Sequence, residues 1–429
     1  MLPLCGDSPD ASIALGAMAE RGLRVLAVAS RTLAGSEHVI SPVDLETNLE
    51  LLGLVGLQDP PRPDAADVIA SCREAGIRIA MLTGDHPGTA KAIATELGLF
   101  GPSSMVVDGT DLPEDQEVLG ALLDRDGIVV SRVAPEDKLR ITLALQARGH
   151  VVAMTGDGVN DGPALRQADI GIAMGKSGTD VAREVADLVL LDDNFATIVE
   201  AVRQGRATFS NIRHFLTYHL TDNVAEMTPF VFWALSGSQI PLALGVIQIL
   251  FLDIGTDLLS ATALGAEQPE AEVLERKPEA RHLIDRPLLT RVFGVLGPVE
   301  ALMEMAAFFV TFLAAGWRPG DSFGEGQTLL AASGAAFTAV VIGQSANAFA
   351  CRSATRWPGA LGWTTNRLLF GAVIIELIFA LGFLYIPFIA DLLEHAPPTM
   401  AGFGVALLTA PAVLAADAIQ KGVRRRMSQ

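Results

Sequence analysis

Between His150 and Leu165 an apolar run, Val151 to Met154, leads into Thr155-Gly156-Asp157-Gly158-Val159-Asn160-Asp161-Gly162. Glycines let a backbone approach a ligand closely. A strand ending at Asp157 and a helix opening at Asp161 can bring two carboxylates to one magnesium ion, a hard cation that takes oxygen ligands. Asn160 can hold a phosphate oxygen or a water. A second run, Ile77 to His86, ends in Thr83-Gly84-Asp85, where a hydroxyl and free amides at a helix start suit a phosphate. A third, Ser131 to Arg140, carries Arg132 and Lys138, the latter on the first helical turn, where an ammonium can reach phosphate. One such Asp alone would read as a helix cap, and one such Lys as a solvated charge. Three loops of this kind after three strands point to one shared site.

A second group of acids lies in apolar surroundings. Asp222, Asn223 and Glu226 fall in one apolar run, and Asp253, Thr256 and Asp257 in the next. In both, two carboxylates sit at i and i+4, on one face of a helix. Carboxylates on consecutive membrane spans repel unless they share cations or protons, and charges at such depth usually serve ions. Gly255, Pro229 and Pro241 allow local unwinding that would free carbonyl oxygens as further ligands. Gln344, Asn347 and Glu376 are further candidates, with helix packing through polar groups as the simpler reading. For Asp222, near the inner end of its span, the simpler reading is solvation at the interface.

Two kinds of chain must position these groups. From Met1 to about Arg206, short apolar runs alternate with amphipathic stretches, the pattern of a parallel sheet. Strands are expected at Arg24–Ala29, Leu51–Leu57, Ile77–Leu82, Ile128–Val133, His150–Met154, Ile170–Met174 and Leu188–Leu191. Helices are expected at Asp64–Ala75, His86–Leu97, Glu136–Arg148 and Thr179–Ala186. All three loops follow strands, where an open α/β sheet gathers its ligands. Asp108–Leu112 reads as a surface turn. Beyond Arg206 come six apolar runs of about 20 residues, enough to cross a hydrocarbon core. They are Tyr218–Ser236, Leu242–Leu264, Leu289–Ala315, Thr328–Phe349, Leu368–Ile389 and Ala401–Ile419. If the first span leaves the cytosol, Arg276, Lys277, Arg281, Arg286, Arg352, Arg356 and the basic tail all fall inside, and both termini are cytoplasmic. The segment Glu267–Pro287 reads as an inside loop.

Composition sets limits on partners. A hydrophobic fraction of 50% is too apolar for an ordinary soluble enzyme, and 429 residues suggest two or three domains. A net charge of −18 leaves no surplus of Lys and Arg to replace phosphate counterions, so no nucleic-acid partner is expected and a cation is. Cys5, Cys72 and Cys351 are odd in number and far apart, which indicates neither a disulfide framework nor a zinc site. The N-terminal residues lack a basic segment followed by an apolar core, so no signal peptide is expected and the chain begins within a cytosolic domain.

Thr83-Gly84-Asp85, Pro135 to Lys138 and Thr155 to Leu165, with Asp59-Pro60-Pro61-Arg62, in that order, closely resemble the phosphorylation domain of P-type ATPases in the haloacid dehalogenase superfamily. The resemblance covers nearly the whole chain. It implies that Thr83, Gly84, Asp85 and Lys138 contact a phosphoryl group, that Asp157 binds Mg2+ and that Asn160 and Asp161 complete the site. The run Gly22–Arg31 resembles the last strand of the family's nucleotide-binding domain, which implies that Arg24 touches the phosphates of ATP. The acid-bearing runs are similar to the fifth and sixth helices of the sodium/potassium and calcium pumps, implying Asn223, Glu226, Asp253, Thr256 and Asp257 as ion ligands. Two acids in the second run resemble the sodium/potassium type, since the calcium type has Asn at the place of Asp253. Asp222 departs from both.

The expected architecture is therefore an α/β haloacid dehalogenase-like domain with a Rossmann-like parallel sheet, followed by an all-α transmembrane domain of six helices. Residues 1–50 would be a remnant of the nucleotide-binding domain, 51–206 the phosphorylation domain and 207–429 the cation-transport domain. The sequence contains no Asp-Lys-Thr-Gly-Thr motif, the family's phosphorylation site, and no actuator loop. The leading expectation is ATP-driven cation transport by the C-terminal part of a pump in a bacterial-type plasma membrane, partnered by the missing N-terminal half. Calcium is the favoured ion because a carboxylate-rich cage suits a divalent cation, with sodium, potassium or protons as alternatives. A non-catalytic ion-binding subunit, or truncated gene product, and a membrane-anchored phosphatase are the competing classes.

Overall fold

The structure, a computed structural model, describes residues 4–5, 9–32, 49–57, 60–269, 273–275 and 282–427. The chain divides into two compact units, Met1–Arg203 with Leu274–Pro278, and Gln204–Val273 with Glu279–Gln429.

In the first unit, α1 (Pro9–Glu20) precedes an antiparallel pair, β1 (Arg24–Ser30) and β2 (Glu50–Leu57). Two three-stranded parallel sheets follow. One has β3 (Ala80–Leu82), β4 (Val106–Asp108) and β5 (Ile128–Ser131) in the order β3-β5-β4. The other has β6 (Ala153–Gly156), β7 (Ile170–Met174) and β8 (Leu188–Leu190) in chain order. The helices are α2 (Ala65–Glu74), α3 (Pro87–Glu96), α4 (Gln116–Leu123), α5 (Pro135–Ala147), α6 (Gly162–Gln167) and α7 (Asp180–Val185).

β5 is buried at every position, as its run Ile-Val-Val-Ser suits a strand covered on both faces. Leu82 on β3 packs against the hydrophobic clusters of both sheets, so the two share one core. Helix starts are chemically marked: His86 caps α3 with Pro87 in its first turn, Asp115 caps α4 through two amides, and Pro135 opens α5. Gly127 has φ +74, and a Cβ there would lie 2.5 Å from the Ser104 hydroxyl, so this turn into β5 needs glycine.

Three expectations shift. The strand expected at His150–Met154 forms later, at Ala153–Gly156, because Asp169 draws Val152 N–H into a 2.8 Å side-chain bond before the ladder starts. The strand expected over Ile77–Leu82 keeps only its last three residues, with Ile79 N–H bonded to Asp126. Asp108 ends β4 and accepts from the Thr110 amide, so the expected surface turn is tied to a strand that was not foreseen.

The second unit is helical: α8 (Ala196–Leu235, continuous from the first unit), α9 (Val246–Gly265), α10 (Arg286–Ala314), α11 (Gln327–Cys351), α12 (Arg367–Tyr385) and α13 (Met400–Met427). Among the described residues five of these, α9 to α13, are long and apolar enough to cross a membrane. The first expected span lies inside α8, whose polar run through Thr221, Asp222, Asn223 and Glu226 dilutes its hydropathy. α8 passes through Pro229 without a break. Local unwinding is therefore not at Pro229; α9 instead widens at Asp253–Asp257 into a π turn, in which Leu258 N–H bonds the Asp253 carbonyl. α10 does the same at Val292–Leu296, where Gly297 N–H bonds Val292.

α11 is the most buried of the five and rich in Ala, Gly and Ser, which lets neighbouring backbones approach. A Cβ on its Gly334 would lie 1.9 Å from the Ala396 carbonyl oxygen. α12 presents the opposite surface, with Leu368, Phe370, Ile374, Ile378 and Leu381 exposed, as a helix facing acyl chains would.

Candidate functional site

In the first unit the loops after β3, β5 and β6 carry the candidate residues. Lys138, on the first turn of α5, donates from Nζ to Asp161 Oδ1 at 2.5 Å. Asp161 is 6% exposed, and its other oxygen accepts from the amides of Asp157 at 3.3 Å and Gly158 at 3.2 Å. A Cβ on Gly156 would come within 2.5 Å of Asp161 Cβ, so the close approach depends on that glycine. Both Asp161 oxygens are thus committed. The sequence expectation that Asp157 and Asp161 meet on one metal divides into two roles: Asp161 fixes the turn and aims Lys138.

Asp157 stands exposed at the tip of β6, and its carboxylate has no hydrogen-bond or ion-pair partner among the described residues. It fits one oxygen ligand of Mg2+, an ion that protein holds through one or two carboxylates and completes with phosphate and water. Asn160 is exposed on the 3-10 turn Val159–Asp161 beside it. Among the described residues no three His, Cys, Asp or Glu side chains form a metal-holding group by themselves.

After β3, the Thr83 hydroxyl donates to Asp85 Oδ2 at 2.9 Å and accepts from the Asp85 amide at 3.1 Å. Gly84 is exposed, with open space where a Cβ would stand. Val133 N–H bonds Thr83 O and Arg132 N–H bonds Asp85 O, which ties this loop to the one after β5. The helix cap is His86, leaving the Thr83–Asp85 turn open. Arg132 does not join the group: it bends at φ 52 and pairs with Asp108 at 3.2 Å. Hydrogen bonds from Thr110, with Arg132 adding to them, hold the Asp108 carboxyl below its ordinary range. Arg62 bonds Asp193 O and Ser177 and lies over the Phe195 ring, so it braces the end of the sheet. Arg24 starts β1, and its side chain lies outside the described residues, as does Asp59.

In the second unit the buried acids are joined by amides from α11. Asp222 on α8 accepts from Asn347 at 2.8 Å, and Glu226, one turn on, accepts from Gln344 at 3.2 Å. Gln344 also accepts from the Thr256 hydroxyl at 3.1 Å, which binds the π turn of α9 to the same network. Asp257 Oδ2 lies 2.7 Å from His219 Nδ1, one turn before Asn223 on α8. Asp253 is half-buried on the π turn, and its carboxylate has no hydrogen bond among the described residues. Asn223 is not brought in; its amide donates to the His219 carbonyl of its own helix at 2.9 Å.

The sequence reading missed two members. Glu300 and Glu304 on α10 are fully buried; among the described residues neither carboxylate has a hydrogen bond of ordinary geometry, and Asp222 lies beside Glu300. Glu300 fills the notch left by Gly343 of α11, where a Cβ would lie 2.5 Å from its Oε1. Glu376 on α12, a weaker candidate in the sequence, is likewise fully buried with both oxygens unpartnered. The signal was present: Glu300 and Glu304 stand at i and i+4 within an apolar run, the same spacing that marked Asp222 and Glu226.

Residues 13–169 match the model of haloacid dehalogenase-like hydrolases, and residues 241–423 match that of the cation transporting ATPase C-terminus. A calcium-transporting ATPase of Bacillus subtilis (strain 168) is 42% identical over 371 residues, 86% of this chain and 40% of that protein. The sodium/potassium-transporting ATPase subunit alpha-4 of Homo sapiens is 39% identical over 318 residues, 67% of this chain and 30% of that protein. The chain thus spans about two fifths or less of the length of these relatives. From the phosphate-type loops, the acids buried among apolar helices and these two matches in series, the chain belongs to the P-type cation-transporting ATPases and corresponds to their C-terminal portion.

Proposed function

We propose that this chain supplies the phosphoryl-binding loops and the ion cage of an ATP-driven cation pump in a membrane. The observation that carries the reading is the buried network in which Asp222, Glu226 and Thr256 are held by Asn347 and Gln344, with Asp257 on His219. Among the described residues no Lys or Arg is bonded to these acids, which suits a mobile positive charge, cation or proton, at that depth. Calcium is the favoured ion. It takes six to eight oxygens in flexible geometry, and a calcium-transporting ATPase is among the relatives sharing the most of this chain.

In the first unit, Lys138 and the Thr83–Asp85 turn would hold a phosphoryl group, and Asp157 would hold Mg2+, which when bound offsets phosphate charge. Asp161 holds Lys138 in place. The acceptor carboxylate itself is not in these 429 residues, which contain no Asp-Lys-Thr-Gly-Thr motif. β3 and β6 each have one strand neighbour among the described residues, and the loops that follow β5 and β6 meet through Lys138 and Asp161. A further parallel strand could add at these free edges and deliver an Asp beside Thr83 and Asp157. That strand and most of the ATP-binding surface would come from a segment that the sequence does not include.

The test is equilibrium dialysis of the purified 429-residue chain in lipid nanodiscs with radioactive calcium or sodium. Saturable calcium binding that Glu226→Gln and Asp257→Asn abolish supports the reading. Sodium binding without calcium reverses the ion, and binding of neither by a folded chain overturns the cage.

A further inference from the structure

A second polar site lies in the helical unit, away from the acids. At the end of the bundle where α10 begins and α11 and α13 finish, a cavity of about 230 Å3 opens beside α8. Three guanidinium groups line it: Arg213 of α8, Arg291 of α10 and Arg424 of α13. The hydroxyls of Ser210, Thr217 and Ser353 line it too, and Asp285 is the one carboxylate among the described lining residues.

The arginines come from three helices and each is fixed. Arg213 pairs with Asp285 at 2.9 Å and bonds the His282 and Leu283 carbonyls. Arg291 pairs with Asp417, which Lys421 also holds at 2.7 Å, and Arg424 bonds the Pro287 carbonyl at 2.7 Å. At the cavity and its wall stand Arg213, Arg291, Lys421 and Arg424 with Asp285 and Asp417, and Glu267, paired with Arg352, also lies near His214. An arginine fork fixed by its neighbours is preorganised for a planar or tetrahedral oxyanion. An independent sign comes from His214, which lines the same cavity: its Nδ1 is buried and has no partner. A buried ring nitrogen in this position needs a ligand or water to satisfy it.

The surroundings indicate the source of the anion. Next in sequence to lining residues stand exposed apolar side chains, Ile212, Ile284, Leu289 and Val423, on or beside α8, α10 and α13. Exposed apolar helix surface suits acyl chains, which a free phosphate lacks. A cavity of about 230 Å3 takes a phosphate with a small headgroup but not a whole lipid. We propose that this cavity binds the phosphate of an anionic phospholipid, with the lipid's chains lying along the exposed apolar surface of the neighbouring helices. Basic pockets between membrane helices recognise headgroups in this way. The site is separate from the ion cage and does not depend on it.

The test uses the full chain in nanodiscs of phosphatidylcholine containing phosphatidylglycerol, with retained lipids counted by native mass spectrometry after release into detergent. One phosphatidylglycerol retained per chain in preference to phosphatidylcholine is expected. Retention should fall at least tenfold in Arg424→Gln and in Ala354→Phe, which fills the cavity without removing a charge. Matching unfolding midpoints show that both variants fold. Equal retention in all three proteins overturns the site. Calorimetric binding of inorganic phosphate with no preference for phosphatidylglycerol overturns the lipid as its occupant.

Discussion

The phosphoryl-type loops and the membrane acids use the same residue types under opposite conditions. In the loops, burial and partnership go together: Asp161 is buried and both its oxygens are bonded, while Asp157 is unbonded and stands in solvent. In the helical unit that rule fails. Among the described residues, Glu300, Glu304 and Glu376 are fully buried with no hydrogen bond of ordinary geometry to either oxygen, and one oxygen each of Asp222 and Asp257 is likewise without one. Water can complete an exposed site at little cost, so the loops need only position their groups. A buried carboxylate without a partner is expensive, which fits the proposed role of these helices in holding a mobile charge.

The comparison breaks most sharply if the membrane acids tolerate neutralisation. Glu226→Gln with Asp257→Asn is expected to lower cation affinity by a hundredfold or more in dialysis, while the unfolding midpoint stays level or rises. A falling midpoint with unchanged binding would mean these acids are structural. Next in size is Asp161→Ala. It leaves Lys138 and two amides without their acceptor, at a cost of about 3 kcal/mol, the range for breaking a buried pair. Denaturant unfolding of the first unit's signal measures it, and a loss under 0.5 kcal/mol would show the pair to be ornamental. Asp157→Asn should do the reverse. Its stability change should lie within about 0.5 kcal/mol, as for an exposed residue, while Mg2+ affinity in the presence of a phosphate analogue falls about tenfold. Titration calorimetry reads the second number.

The smallest effect is on pH. Asp124 is pulled down to about 2, chiefly by its hydrogen bond from Arg148, with His150 and Arg78 adding to it against the opposing effect of burial. Its folded value lies below the ordinary 3.8, so its stabilisation is present above about pH 4 and is lost as pH falls toward 2. Asp124→Asn should therefore flatten the acid limb of an unfolding-midpoint profile and leave neutral pH nearly untouched. A variant that keeps the wild-type slope between pH 4 and 2 would exclude this carboxyl as its source.

What could be read from the sequence follows from how local each signal is. The three loops stood out because small and polar residues directly follow apolar runs, and the structure places each after a strand. Asp222, Glu226 and Asp257 were legible because a charge in an apolar run has no cheap explanation. β4 was not, since a three-residue strand whose last residue is the first Asp of Asp-Gly-Thr-Asp carries too little pattern to outweigh the turn. Arg132 was misplaced because its loop position said nothing of φ 52, which turns it to Asp108 instead. Glu300 and Glu304 were legible in spacing yet hidden by their flanks, where Leu302, Met303 and Met305 make the run read as packing. The amides of Gln344 and Asn347 gain meaning only once α11 lies at the centre of the bundle.

The two π turns carry a mechanical consequence. A π turn holds one residue more than the α-helical turn it replaces, so its bonds can be traded for α-helical ones by sliding the extra residue along the chain. At 1.5 Å and about 100° per residue, such a slip would swing the side chains it passes partly around the helix axis. Asp253–Asp257 contains three of the candidate ligands, and Val292–Leu296 ends one turn before Glu300. Both helices therefore hold a built-in step of fixed size, by which ligands could be presented and withdrawn while the ends of the helices stay where they are.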